Sequence, residues 1–140
     1  VEHRIEFVRE VGGVKYYNDS KGTNPDAAIK AVEAMVTPTV VIGGGYDKQS
    51  SYEEWIASFG DKVKCLVLLG ATADKIEATA RKAGFTNIVR VGSLKEAVEA
   101  SAVQAQSGDA VLLSPACASW DMFKSYEQRG TLFKEYVNQL

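Results

Sequence analysis

The sequence predicts an α/β fold, in which a Rossmann-like, doubly wound and mostly parallel sheet carries a β-hairpin at its N-terminal end. Short apolar runs alternate with longer segments of helical periodicity along the chain. Strands that are apolar on both faces and alternate with helices are typical of a parallel sheet between two helix layers. Two alternating segments flank Gly12-Gly13, which is typical of a hairpin turn and predicts an antiparallel edge strand.

The remaining elements follow in order along the chain. The hairpin strands are predicted at residues 5–11 and 14–17, and further strands at 39–42, 65–69, 88–91 and 110–113. Helices are predicted at residues 25–35, 52–59, 73–83, 93–106 and 125–138. Asn24 followed by Pro25 is a typical helix start, and Ser93 with Glu96 has the pattern of a capping box.

Composition argues against several classes of function. The 140 residues fit one domain, and a net charge of -2 without a Lys/Arg cluster argues against nucleic-acid binding. No apolar run approaches the roughly 18 residues that a membrane-spanning helix needs. Cys65 and Cys117 lack the spacing of metal ligands, which predicts a reducing compartment and hence the cytoplasm.

Three polar loops follow predicted strands, at residues 18–24, 43–48 and 114–121, whereas the other loops after strands are short. In open α/β sheets, ligands bind beyond the carboxyl ends of the strands. We therefore expect the three loops to converge on one edge and to present a surface for carboxylate or phosphate. The side chains expected there are Lys21, Thr23, Lys48 and Ser119.

Ordinary turn chemistry explains part of the first loop. An Asx turn and a helix cap account for Gly22, Asn24 and Pro25. They do not account for Lys21 and Thr23 together, which favours a functional site.

The other two loops are compatible with structural roles. The triple glycine at 43–45 belongs to neither a P-loop nor a GxGxxG fingerprint. Lys48 is also typical of a solvated lysine, and Ser119 of a helix cap. Cys117 has no histidine near it in sequence, because the only histidine is His3, so a buried and inert thiol is favoured.

Several strings resemble the C-terminal domain of the Mur ligase family. They are His3-Arg4, NDSKGTN at 18–24, GGGYDK at 43–48, LLSPACASWDMFK at 112–124 and EQRG at 127–130. DSKGTNP resembles Mur and folylpolyglutamate ligases in general, whereas SPACASWDMFK and EQRG resemble the members that add D-glutamate. The resemblance implies that residues 1–140 are one amino-acid-binding domain, and that the N-terminal UDP-binding and central ATP-binding domains of such ligases are absent.

The resemblance implies a cytoplasmic, ATP-dependent amide ligase of peptidoglycan synthesis. In this family ATP phosphorylates the carboxylate of UDP-N-acetylmuramoyl-L-alanine, and the amine of D-glutamate attacks the acyl phosphate. The implied cofactors are ATP and Mg²⁺, held mainly by the central domain. The implied partners are D-glutamate, ATP, UDP-N-acetylmuramoyl-L-alanine and the other domains of the same polypeptide, with no nucleic acid, no membrane and a monomeric state.

The resemblance also implies residue roles on the nucleotide side. Arg4 would contact the nucleotide phosphates and Asp19 the ribose side, with His3 nearby. Lys21 would be catalytic and would lie near the transferring phosphate.

A second set of implied roles concerns D-glutamate. Thr23 and Lys48 would bind one carboxylate, and Ser119 with the backbone near Tyr126 would bind the other. Trp120 would lie beside Ser119 in the same site.

Two alternatives remain open. The chain is also compatible with the same domain of a sister Mur or folylpolyglutamate-type ligase, or with a stand-alone, non-catalytic α/β binding domain. Because the family carries its P-loop and Mg²⁺ ligands in the central domain, we expect the 140-residue chain to fold alone but not to catalyse.

Overall fold

The computed structural model describes residues 1–140 as six strands and five helices. The strands are β1 (Glu6–Val11), β2 (Val14–Asn18), β3 (Thr39–Gly43), β4 (Val63–Leu68), β5 (Ile88–Arg90) and β6 (Ala110–Leu113). The helices are α1 (Pro25–Ala34), α2 (Glu53–Ala57), α3 (Ala73–Lys82), α4 (Leu94–Gln104) and α5 (Tyr126–Asn138). None of these helices combines the length and apolarity that crossing a membrane requires.

All six strands form one sheet in the order β1-β2-β6-β3-β4-β5. Only the β1–β2 pair is antiparallel, and it is joined through Gly12 and Gly13, which both have positive φ. The structure thus confirms the mostly parallel sheet and its antiparallel N-terminal edge strand. It also places β2, β6 and β3 side by side, so that their carboxyl ends share one stretch of the sheet edge.

Local sequence signals set most of the helix starts. The Asn24 side chain accepts a hydrogen bond from the backbone N–H of Ala27 at 2.9 Å, as expected of an N-cap. The Ser93 hydroxyl accepts one from the Glu96 N–H at 3.1 Å. The Glu96 carboxylate accepts in return from the N–H of Gly92, so the predicted capping box forms with its second bond shifted by one residue.

Strand β4 begins at Val63, two residues before the predicted start at 65. Lys64 interrupts the apolar run in the sequence, which is why the pattern places the start too late. In the structure its ammonium lies 2.8 Å from the carboxylate of Asp109, so the strand continues through a charged residue.

The core consists of two apolar clusters, one on each face of the sheet. Val41 packs into the first cluster, whereas its neighbours Val40 and Ile42 pack into the second, as the alternation of a strand requires. Helices α1, α2 and α3 contribute to the first cluster, and α4 and α5 contribute to the second. The doubly wound arrangement expected from the sequence is therefore present.

Both cysteines are buried free thiols. Burial raises the pKa of the Cys65 thiol. Burial also raises the pKa of Cys117, although hydrogen bonds from Thr72 and Tyr52 act in the opposite direction. Thiols that remain protonated are poor nucleophiles, in agreement with the expected inert role.

Candidate functional site

The three polar loops meet at the carboxyl edge of the sheet. We name them loop A (residues 19–24, after β2), loop B (residues 44–52, after β3) and loop C (residues 114–125, after β6). The Ala116 N–H of loop C donates to the Gly22 carbonyl of loop A at 2.9 Å. The expected convergence of these loops is thus observed.

Loops B and C also contact each other directly. The Tyr46 N–H donates to the Ala118 carbonyl at 2.8 Å. A side chain at Gly45 would collide with that same carbonyl, and one at Gly44 would collide with the carbonyl of Leu69. Close packing of backbone against backbone therefore requires Gly44 and Gly45, and a Cβ at Gly43 would meet the indole ring of Trp55, which favours the structural interpretation of the triple glycine.

A cleft of about 270 Å³ lies where loop A, loop B and loop C reach the N-terminus of α5. We call it the α5 cleft. It is lined by Thr23, Lys48, Ala118, Ser119, Trp120, Lys124, Ser125, Tyr126 and Glu127. The structure thus gathers in one cleft all five residues that the resemblance assigned to amino-acid binding, while their individual roles stay predictions.

The α5 cleft is rich in hydrogen-bond donors that have no partner within the chain. The hydroxyls of Thr23 and Ser119 form no hydrogen bond to other residues, and the ammonium groups of Lys48 and Lys124 form neither a hydrogen bond nor an ion pair. Glu127 is the only carboxylate that lines the cleft. The arrangement is suited to an anionic ligand, because charge-assisted hydrogen bonds are the stronger class.

Sequence reasoning assigned no role to Lys124 or Glu127. Both lie within the strings that carry the family resemblance, and both are within two residues of Ser125, which caps α5 by accepting from the Gln128 N–H. Their proximity to a helix start was the available signal.

Trp120 departs from the packing that its spacing suggests. Trp120, Phe123 and Tyr126 recur in a helical rhythm, and core packing is the default for such a pattern. Instead loop C is not helical here, and Trp120 is 65% exposed. Its ring packs against Tyr46 with centroids 5.3 Å apart, so the two aromatic rings form an exposed pair at the rim of the cleft.

A second cleft, of about 470 Å³, lies beside loop A and the start of α1. We call it the Arg4 cleft. Its lining residues are Arg4, Ile5, Asp19, Lys21, Gly22, Asn24, Asp26, Ala27 and Lys30. It brings together three of the four residues expected on the nucleotide side and adds Lys30, which sequence reasoning did not single out.

Asp19 is buried at the base of the Arg4 cleft. Its carboxylate accepts hydrogen bonds from the Ile5 N–H at 3.1 Å and from the Ser114 hydroxyl at 2.7 Å. Burial raises the pKa of Asp19, although these hydrogen bonds and the nearby Arg4 and Arg129 oppose the shift. Asp19 therefore fixes the N-terminal segment and loop C to loop A.

His3 does not line the Arg4 cleft. It is buried, its Nδ1 lies 2.9 Å from the Asn18 amide nitrogen, and its ring meets the edge of Tyr126. A Cβ at Gly130 would collide with the same ring. His3 thus supports the start of α5, and its expected place near a nucleotide stays a prediction.

Strained backbone surrounds Arg4. His3 has φ of 65° and Ile5 has φ of 44°, which is the left-handed region that a β-branched residue rarely adopts. Hydrogen bonds from loop A hold this conformation, because the Lys21 N–H donates to the His3 carbonyl and Asp19 accepts from Ile5. Such strain is typical of functional sites.

Arg129, in the first turn of α5, is buried and forms three hydrogen bonds. Its Nε and Nη2 donate to the hydroxyl and carbonyl oxygens of Ser20, at 2.9 and 2.7 Å, and its Nη1 donates to the Cys117 carbonyl at 3.1 Å. Sequence reasoning gave it no role. A positive charge near the N-terminus of a helix is unfavourable. The position of Arg129 in the first turn of a predicted helix could therefore have indicated a special role.

Comparison with known proteins agrees with the resemblance drawn from the motifs. Residues 3–117 match the family described as "Mur ligase, glutamate ligase domain". The chain is 63% identical over its whole length to the UDP-N-acetylmuramoylalanine--D-glutamate ligase of Lachnoclostridium phytofermentans. It covers 31% of that relative, so the chain spans about a third of the length of the curated relatives it matches.

Two solved structures share the fold at low sequence identity. The bifunctional folylpolyglutamate synthase/dihydrofolate synthase of Yersinia pestis gives a TM-score of 0.69 at 16% identity, over 100% of this chain and 32% of that one. The MurF ligase of Thermotoga maritima, solved in complex with ADP, gives 0.57 at 17% identity, over 99% of this chain and 32% of that one. Fold, motifs and family match agree, and the chain belongs to the Mur ligase family, in which it corresponds to the glutamate ligase domain.

Proposed function

We propose that this chain is the amino-acid-binding domain of an ATP-dependent amide ligase that adds D-glutamate to UDP-N-acetylmuramoyl-L-alanine in peptidoglycan synthesis. The observation that carries the proposal is the α5 cleft, which gathers unpaired donors from three loops around one helix start. The names of relatives that are 56–63% identical support D-glutamate as the amino acid. We place the full-length ligase in the cytoplasm as a monomer, as the family resemblance implies.

The α5 cleft offers separate places for two carboxylates. The Thr23 hydroxyl and the Lys48 ammonium bind one, and the Ser119 hydroxyl with the first backbone N–H groups of α5, near Tyr126, binds the other. Trp120 closes the rim beside Ser119. A hydrogen bond to a charged group contributes about 1.5–3 kcal/mol, so a few such bonds suffice to orient a small dicarboxylate.

The Arg4 cleft is the proposed nucleotide side of the domain. Arg4 is exposed and contacts the phosphates, while Asp19 lies on the ribose side and holds the strained segment that presents Arg4. The MurF ligase of Thermotoga maritima, which shares the fold, was solved with ADP and supports nucleotide use in the family.

Lys21 belongs to loop A, which contributes to both clefts. Its exposed ammonium is proposed to stabilise negative charge on the transferring phosphate while the D-glutamate amine approaches from the α5 cleft. The proposed reaction passes through an acyl phosphate on UDP-N-acetylmuramoyl-L-alanine, whose attack by the amine releases phosphate and leaves the amide.

The residues of this chain do not fit a Mg²⁺ site. No three of its His, Cys, Asp and Glu side chains form a group that could hold a metal. We therefore propose that Mg²⁺ is held by other parts of the full-length ligase.

The 140-residue chain is expected to be inactive by itself, because it contains no P-loop string. Purified chain should show neither ATP hydrolysis nor ligation above background, whereas a full-length ligase that contains it should show both. Turnover by the chain alone would contradict the assignment of catalysis to a shared, multidomain site.

Removing either carboxylate contact should impair the use of D-glutamate. In the full-length ligase, Lys48→Ala and Ser119→Ala are each expected to raise KM for D-glutamate about tenfold or more, because each loses a charge-assisted hydrogen bond. KM for ATP should change little. Lys82→Ala, an exposed lysine at the end of α3, is the matched control. An unchanged KM for D-glutamate would refute the carboxylate assignment.

Replacing Asp19 should separate stability from function. Burial raises its pKa in the folded state, so the folded chain holds this proton more tightly than the unfolded chain, and ionised Asp19 costs stability above about pH 4. At pH 7 the free energy of unfolding of Asp19→Asn should therefore equal or exceed that of the wild type. Below about pH 4, where Asp19 is protonated in both states, the difference should vanish.

The same change should lower ligation by the full-length enzyme. The amide –NH2 of Asn can donate to the Ser114 hydroxyl, so the internal contact is kept, but it can no longer accept a hydrogen bond from the ribose, on whose side Asp19 is proposed to lie. Asp26→Asn, an exposed carboxylate in the same cleft, is the control. Denaturant unfolding at pH 7 and pH 3.5 is the measurement. An Asn variant that is clearly less stable at pH 7 would show that the buried charge is stabilising instead.

A further inference from the structure

We propose that Arg129 is a positioning residue that sets the distance between the two carboxylate sites of the α5 cleft without touching the ligand. The inference rests on the proposed function, since it concerns how the same cleft is held in shape. Arg129 does not line the α5 cleft. It contacts loop A through Ser20 and loop C through Cys117, and these two loops form walls of the cleft.

The three hydrogen bonds of Arg129 reach both walls. Two go to Ser20, which precedes Thr23 in loop A, and one goes to Cys117, which precedes Ser119 in loop C. The Ser20 hydroxyl in turn donates to the Tyr126 carbonyl at 2.7 Å. One planar guanidinium thus links loop A, loop C and the first turn of α5.

The position is costly for a charged group. Arg129 is 2% exposed, and no carboxylate lies within ion-pair distance of it. Its three acceptors are neutral oxygens, and burial lowers its pKa to about 10. An apolar side chain would avoid the burial cost of the charge but would leave these buried oxygens without a donor. Satisfying neutral oxygens requires donors but does not require a positive charge, so the choice of arginine calls for a further reason.

Geometry does account for it. A guanidinium presents its N–H groups in one rigid plane, so that each hydrogen bond constrains the direction of the next. Lysine would keep the charge, but its single ammonium on a flexible stem would not fix the directions of the three acceptors relative to one another. Arg129→Lys therefore removes the geometric constraint and retains the charge, which separates positioning from electrostatics.

The test compares Arg129→Lys with Arg90→Lys in the full-length ligase. Arg90 is an exposed arginine at the far end of the sheet and is paired with Asp74 and Glu77. Because misplacement of a bound group by about 1 Å can cost roughly a hundredfold, Arg129→Lys is expected to raise KM for D-glutamate at least tenfold. KM for ATP should stay within about twofold of the wild-type value. The kinetic constants of Arg90→Lys should likewise stay within about twofold of wild type.

A readout without ligand keeps this inference distinct from the proposed function. Amide NMR spectra of the 140-residue chain should show shifts at Thr23 and Ser119 in Arg129→Lys, while the amides of α3 and β5 stay at their wild-type positions. If wild-type ligase did not use D-glutamate, the proposed function would fail, but these shifts would still decide the positioning role.

Ser20→Ala provides a second variant in case Arg129→Lys does not fold. It removes one acceptor of Arg129 and the donor to Tyr126. It should raise KM for D-glutamate in the same sense, and the double variant should add little to Arg129→Lys because both changes break one network. Unshifted Thr23 and Ser119 amides, or an unchanged KM in folded Arg129→Lys or Ser20→Ala, would overturn the inference.

Discussion

The insertion of β6 between β2 and β3 decides where the candidate site residues lie. β6 forms parallel pairs with both neighbours, and all four of its residues are buried. Loop C is therefore held between loop A and loop B, and backbone hydrogen bonds join it to each of them. Both clefts depend on this order, because loop A contributes to each of them and loop C provides one wall of the α5 cleft. A different strand order would separate Lys48 from Ser119.

Two nearly buried polar groups, Asp19 and Arg129, support the loops that form the clefts. Asp19 joins loop A to loop C and to the segment before β1, and Arg129 joins loop A and loop C to α5. Burial shifts the pKa of both groups toward their neutral forms, which means that each charge is held at a cost. The α5 cleft itself is lined by donors of Thr23, Lys48, Ser119 and Lys124 that have no partner within the chain. Fixed supporting groups and unpaired donors are what binding sites require.

Local signals in the sequence were sufficient for most of the elements and for five of the residues that line the α5 cleft, whereas Lys124 and Glu127 were missed. Asn24 and Ser93 cap helices as expected, and the strings in the three loops indicate Thr23, Lys48 and Ser119, which the structure brings together in the α5 cleft. The supporting contacts were not predictable in the same way. The three acceptors of Arg129 come from two loops distant in sequence, and the burial of His3 depends on its docking against α5. Such contacts follow from strand order, which apolar patterning does not encode.

The proposed function requires the α5 cleft to recognise the two carboxylates and the configuration of D-glutamate. Titration of the 140-residue chain with D-glutamate, with L-glutamate as the matched control, tests it most directly by amide NMR. We expect weak but saturable shifts confined to residues around Thr23, Lys48, Ser119 and Tyr126, with smaller shifts for the L enantiomer. Shifts centred on the Arg4 cleft, or equal responses to both enantiomers at the same residues, would contradict it.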